Sequence, residues 1–242
     1  MGAGASFEQN LQNKTQKIKS YHDQVNILTE QISQKSEKIK ATIVARGYTD
    51  KNAVCSRIIW QNYDELSSFF PVVKVDNVKY KAGMKPQSLP DELRESKLQT
   101  CLDITTLYAK KINLINYILS ELPKCIEAEN SIYNDLFRKL KTENANNEKW
   151  LSIYEKMEKF NKTIVNRYQL IYKQLDEIRF ARTISQMDGV ANTTFAIVSK
   201  TTTACKTMES DLIIYSNRNA AANPVGNALP VPSKPIPAPP LE

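Results

Sequence analysis

Apolar residues recur every seven positions in two long stretches, Leu11, Ile18, Val25, Ile32, Ile39 and then Trp150, Met157, Ile164, Ile171, Ile178. An odd repeat of this kind alternates between the two faces of a strand but stays on one stripe of an α-helix, so both stretches must be helical. Phe7, Tyr21 and Leu28 flank the first stripe, and Tyr154, Tyr168 and Leu175 flank the second. Lys14, Lys35 and Thr42 interrupt the flanking seam of the first stretch. Its apolar stripe is therefore narrow, suited to lying along a bundle or pairing with one partner. The pattern predicts one helix over about 6–46, with Gly47 placed to cap its carboxyl end, and a second of some 35 residues, roughly 50 Å long, around 150–178.

Helix breakers are scarce where these patterns lie. Seven of the 11 prolines follow Asn219, and the six glycines are scattered. A β-sandwich or barrel needs turn residues every eight to twelve positions, so that class is excluded. Between the two heptad stretches, a helix is expected from Asp50 with Thr49 as its cap, carrying Val54, Ile58, Tyr63 or Asn62, and Leu66 on one face and ending at Pro71. The segment from Val73 to Tyr80 reads as a small hairpin around Asp76-Asn77, with Val75 facing Val78 and Lys74 facing Lys79. Ser88-Leu89-Pro90-Asp91 signals the next helix start. Cys101, Ile104, Tyr108, Ile112, Ile115, Leu119 and Leu122 follow at spacings of three or four, widened by Leu107, Leu114 and Ile118. So wide a stripe suggests the central helix of the bundle, closed or kinked at Pro123, with Ala128, Ile132, Leu136 and Leu140 on a following helix. Asn144 to Asn147 is a polar break. The segment 190–215 is rich in β-branched residues; a helix with Phe195, Val198, Cys205 and Leu212 inward is favoured, and a strand is the alternative.

The last two dozen residues contain Pro230-Val231-Pro232 and Pro235-Ile236-Pro237-Ala238-Pro239-Pro240, an extended tail unable to form a core. Lys234, Pro237 and Pro240 have the basic-x-x-Pro-x-x-Pro spacing that an SH3-type groove reads; a plain spacer is the other reading. The expected architecture is thus mostly α: an elongated bundle of long heptad-patterned helices, with a small β-hairpin near 72–80 and a disordered proline-rich tail. Its parts are a leader (1–10), a long amphipathic helix (6–46), a bundle domain containing the hairpin (47–216) and the tail (217–242).

The 242 residues carry 33 Lys and Arg against 26 Asp and Glu, a net charge of +7. A basic chain invites an anionic partner, nucleic acid or membrane. Here the lysines are interleaved with acids and amides, as in Lys35-Ser36-Glu37-Lys38, and no run of five basic residues occurs. That is the pattern of a solvated helix face, and nucleic acid is not favoured. Cys55, Cys101, Cys125 and Cys205 are far apart and form no Cys-x-x-Cys pair, so no metal ligand is assigned; buried free thiols are favoured over a disulfide. Asn13, Asn161 and Asn192 head glycosylation triplets that would matter only in a secreted chain, and no signal peptide is read. The most apolar run, Ile112 to Ser120, falls far short of the roughly 20 residues needed to cross a bilayer. The single histidine, His22, lies beside Asp23 on a polar helix and reads as a surface residue. Asp91, Glu92 and Glu95 read as helix-dipole charges. No P-loop, dinucleotide fingerprint or nucleophile elbow is present, and no catalytic residue is assigned.

The sharpest motif is Met1-Gly2-Ala3-Gly4-Ala5-Ser6, the pattern for N-myristoylation. After removal of Met1, acylation needs an unhindered glycine amine at Gly2, small residues behind it and a small hydroxyl at Ser6. One myristoyl chain supplies only marginal membrane binding, so a second signal is expected. Lys14, Lys17 and Lys19 are the candidates, each worth about 1 kcal/mol near an anionic surface. No cofactor is expected beyond the covalent myristate.

This start, followed by a long polar helix, resembles that of myristoylated virion proteins: the poxvirus myristoylated membrane proteins of the entry apparatus, their relatives in other large eukaryotic DNA viruses, and retroviral Gag matrix. The resemblance covers the first six residues. It implies acylation at Gly2 and a structural, membrane-apposed role in a particle. Unlike the poxvirus proteins, this sequence has no carboxy-terminal transmembrane segment and no dense cysteine set. The expectation is a non-enzymatic structural protein linking a membrane to a protein shell, such as a minor capsid protein, on the cytoplasmic face of a membrane or inside a virion. Its partners would be an anionic membrane surface, a shell or scaffold protein, and further copies of itself through the heptad helices. The alternatives are a BAR-like membrane-remodelling or adaptor module with a docking tail and, third, a nucleic-acid-binding coiled coil.

Overall fold

The computed structural model describes residues 3–50, Val54, 91–142 and 148–222. Among them are four long helices and no strand: α1 (Ala3–Ala45), α2 (Asp91–Thr142), α3 (Glu148–Phe180) and α4 (Ile184–Ala222). The anticipated hairpin at 72–80, the helix beyond Val54 and the proline-rich tail lie outside the described residues. Val54 itself is helical and buried.

The helices form a four-membered bundle in which α1 packs against α3, α3 against α4, α4 against α2 and α2 against α1. Pairs of side chains set the directions. Lys14 meets Glu155 and Glu158 while Lys35 meets Asp176, so α1 and α3 are parallel. His22 meets Glu129 while Tyr48 stacks on Tyr108, so α2 runs opposite to α1. Lys110 meets Asp188 and Cys125 meets Thr202, so α4 runs with α2, and Lys156 with Asp211 makes it antiparallel to α3. α2 and α3, consecutive in sequence, therefore lie across the diagonal. The wide stripe of α2 does not mark a central helix; it faces two neighbours, as every member of the ring does.

The heptad residues supply the core. Ile18, Val25 and Ile32 of α1 and Met157, Ile164, Tyr168 and Leu175 of α3 are wholly buried. Side chains removed from water at this density, about 1.5–3 kcal/mol apiece, are what hold such helices together. α1 ends as its sequence suggests. Gly47 adopts φ 63°, its N–H donates to Val44 O at 2.9 Å, and the Tyr48 N–H reaches Ile43 O at 3.5 Å. This is a Schellman cap, which a side chain at Gly47 would strain.

A further expectation is corrected. Pro123 neither ends nor divides the helix, since α2 runs unbroken for 52 residues through it. Proline removes only one N–H bond, and Ile118, Leu122 and Cys125 on either side are buried and hold the segment helical. The β-branched segment of α4 is the favoured helix, with Val198, Cys205 and Leu212 buried as expected, whereas Phe195 is not inward but 43% exposed, its ring edge-on to Tyr117. Thr193, Thr194, Thr201, Thr202, Thr203 and Thr207 each donate their hydroxyl to the carbonyl four residues back. That bond lets Thr194 and Thr201 be buried without an unsatisfied hydroxyl. α4 also starts on a capping box absent from the sequence reading, in which Gln186 N–H donates to Thr183 Oγ1 at 3.1 Å and Gln186 Oε1 accepts from the Thr183 N–H at 3.3 Å.

Candidate functional site

At one end of the bundle lies the start of α1. Gly2 and the side chain of Ser6 lie outside the described residues, as do Lys234, Pro237 and Pro240 of the tail. Helical geometry spaces Lys14 and Lys17 about 60° apart, with Lys19 roughly 140–160° from both. The three lysines therefore do not share a face. Lys14, its side chain only 17% exposed, is held by Glu155 and Glu158 of α3 at 3.6 and 3.4 Å. Lys17, 62% exposed, shares Glu158 at 3.4 Å. Lys19 turns the other way and sits 5.7 Å from the ring centroid of Phe137 on α2. Lys14 thus knits α1 to α3, and Lys17 and Lys19 remain solvent-facing.

His22 is not a surface residue. Its Nδ1 lies 2.9 Å from Glu129 Oε2, its ring stacks on Tyr133 at 3.8 Å, and Glu129 is wholly buried. A buried carboxylate needs such a partner, because an unpaired charge there costs several kcal/mol. Asn161 is also fully buried, its Nδ2 donating to Ile18 O of α1 at 3.4 Å. A glycan cannot reach it in the folded state. It shares a seam with Tyr154, Tyr168 and Leu175, and its bond to α1 is the kind of contact by which a lone asparagine in a coiled coil fixes register. The three cysteines among the described residues, Cys101, Cys125 and Cys205, are all buried. Burial pushes the Cys205 thiol up to about 12 and raises that of Cys125, so neither is a nucleophile near neutral pH.

At the opposite end is a cleft of about 720 Å³ along the seam between the last turns of α1 and α3, reaching Tyr108 and Lys111 of α2. Among the described residues five cationic side chains line it, Lys35, Lys38, Arg46, Lys111 and Arg179, and no carboxylate does. Only Lys35 among them has a carboxylate within ion-pair distance among the described residues, Asp176 at 2.8 Å. Lys111 is the unusual member. Only 2% exposed, it donates to the backbone oxygen of Arg179 at 3.0 Å and lies 5.0 Å from the Tyr108 ring centroid. The Arg179 carbonyl belongs to the last turn of α3, where carbonyls lack helical partners and the helix dipole is negative. Lys111 therefore caps α3 from across the bundle. Its remaining two N–H donors have no acceptor among the described residues, and burial lowers its pKa from 10.5 to about 8. The aromatic wall contains Tyr48 stacked on Tyr108 at 4.3 Å and Tyr172 beneath the Lys35 ammonium at 3.8 Å.

No family model, curated protein or solved structure matches the chain. What it can do has to come from its own residues. Among the described residues no helix is long and apolar enough to cross a membrane, and no three His, Cys, Asp or Glu side chains are gathered as a metal would require. Two features stand out: the small-residue start at the head of α1, and a cationic cleft at the other end of that helix.

The sequence reading missed the cleft and the buried His22–Glu129 pair. Signals for parts of both were present. Lys111 falls on the three-and-four ladder of Ile104, Tyr108, Ile115 and Ile118, and Glu129 on that of Leu122, Cys125, Ile132 and Leu136. A charged residue at a stripe position must be buried with a partner, but which partner is a matter of tertiary packing.

Proposed function

We propose that this is a non-enzymatic structural protein, anchored through a myristoyl group on Gly2 and linking a membrane to a protein lattice, as a minor structural protein of a membrane-containing particle would. The observation that carries it is the sequence Met1-Gly2-Ala3-Gly4-Ala5-Ser6 standing at the head of a 43-residue helix. A rigid rod with an acyl group at one tip is a spacer: it holds whatever binds its flanks or far end at a set distance from a bilayer. The four helices span roughly 50–80 Å at 1.5 Å per residue, enough to bridge a membrane and a neighbouring shell. Lys17 and Lys19 would add electrostatic attraction to anionic lipid if the rod leans toward the surface. Held upright it would place them some 20 Å from Gly2, beyond a Debye length of about 8 Å.

The test is co-expression with a eukaryotic myristoyltransferase, intact mass, and flotation with anionic liposomes beside Gly2→Ala. The expected result is a mass gain of one myristoyl group and flotation that the variant loses. Absence of the acyl group, or flotation unchanged by Gly2→Ala, would overturn the anchor.

A further inference from the structure

We infer that the cleft between the carboxyl ends of α1 and α3 binds a ligand carrying clustered phosphate groups. The inference is independent of the acyl anchor, since it rests on a separate part of the molecule. Gathering five cations around one concave site is unfavourable without an anion, because like charges a few ångströms apart repel and the low-dielectric walls strengthen the effect. Asp176 offsets one of them by pairing with Lys35; Lys38, Arg46, Lys111 and Arg179 are left without a carboxylate among the described residues. A single carboxylate ligand would leave most of that charge uncompensated, whereas a bis- or polyphosphate matches it.

The donor types fit. Arg46 and Arg179 present planar guanidinium forks able to hold phosphate oxygens bidentately, and Lys38 adds an exposed point charge at the rim. Lys111 supplies the feature that separates a built site from a basic surface. The residue is only 2% exposed, lines the cleft and has donors to spare after capping Arg179 O. A volume near 720 Å³ lies in the range of small-ligand pockets, about 300–1,000 Å³. Tyr108 and Tyr172 give the site apolar walls against which a sugar or cyclitol ring can rest. A nucleic-acid duplex is a poorer fit, since it needs cations strung along a surface, not converging on one hollow.

Clustered phosphates of this kind occur on soluble inositol polyphosphates and nucleotides and on the headgroups of polyphosphoinositide lipids. The cleft begins about 40 Å along α1 from its first turn, so a rod anchored upright would offer it to soluble ligands, and a rod lying flat to lipid.

The experiment uses the full chain carrying Gly2→Ala, so that no acyl group contributes. Calorimetric titration is run with inositol hexakisphosphate and with ATP, and flotation with neutral vesicles containing a few per cent phosphatidylinositol bisphosphate. The test variant is Lys38→Glu, Arg46→Glu, Arg179→Glu, three exposed positions whose change should leave the core intact. The control is Lys159→Glu, Lys200→Glu, Lys206→Glu, with the same charge change on exposed positions away from the cleft.

Saturable one-to-one binding is expected, weakened by at least about 30-fold in the cleft variant and by less than about threefold in the control, with salt reducing affinity. Which of the soluble and vesicle arms shows it identifies the source. Binding lost equally in both variants would reduce the effect to net charge and overturn the site, as would no saturable binding below about 1 mM in any arm. Circular dichroism and thermal melting of each variant separate loss of the site from loss of the fold.

Discussion

Lys111 departs furthest from the habits of its residue type. Lysines keep the ammonium in water even when their stems are buried; this one places it against the Arg179 carbonyl and the Tyr108 ring. The unfolded chain holds the proton up to about 10.5 and the folded protein releases it near 8. Between those values the unfolded state binds more protons, so stability rises as pH increases through that window. Tyr108 works in the opposite direction at higher pH. Its hydroxyl is pushed up to about 12, chiefly by burial, so its stabilising share is present below pH 10 and is lost as pH climbs from 10 toward 12. Urea unfolding at pH 7, 8.5 and 10 should therefore show a gain in the native protein that Lys111→Met lacks, on the order of 1 kcal/mol or more. The same slope in both proteins would mean that Lys111 titrates as a solvated lysine.

At the scale of one element, α2 shows how far packing overrides local preference. Pro123 has no N–H to offer the Leu119 carbonyl and crowds the preceding turn, at a cost of about 3 kcal/mol in an unsupported helix. The helix persists because its stripe is buried along both flanks of that point, from Cys101 through Ile115 to Leu136. Pro123→Ala should restore the bond without removing any core side chain. Chemical denaturation is expected to show a gain of about 1–3 kcal/mol with an unchanged denaturant slope. No gain would mean that the surrounding bundle has already adapted to the proline. α4 illustrates the reverse case. Its threonines look strand-like by propensity, yet the hydroxyl-to-carbonyl bonds make them compatible with a buried helix face, and Thr183 with Gln186 fixes where it begins.

For the whole molecule, the ring order puts α2 and α4 side by side and seals Cys125 and Cys205 between them, with Cys205 Sγ 3.9 Å from the Cys125 carbonyl. Cys101 is buried on the same helix as Cys125. Thiol labelling in a Cys55→Ser background should therefore find no rapidly reacting cysteine in the native state. Across a urea series all three should become reactive in one transition coincident with loss of helicity, as a cooperative single bundle requires. Separate transitions would show that α2 and α4 part before the rest of the bundle unfolds.

The repeats at Leu11–Ile39 and Trp150–Ile178, with glycine and proline scarce between them, were enough by themselves to determine helices, their lengths, the cap at Gly47 and the faces that turn inward. Periodicity and backbone sterics are local and can be read along the chain. The acylation motif is legible for the same reason, being a short contiguous pattern. Helix order, the diagonal placement of α2 and α3, the passage through Pro123 and the partners of His22, Asn161 and Lys111 were decided only by tertiary structure. Each depends on which stripe finds which, and a buried charge takes its partner from whatever the fold brings beside it. The cationic cleft belongs to that second group: Lys35, Arg46, Lys111 and Arg179 are scattered over more than half the sequence, and only the meeting of the ends of α1 and α3 with the flank of α2 gathers their charge.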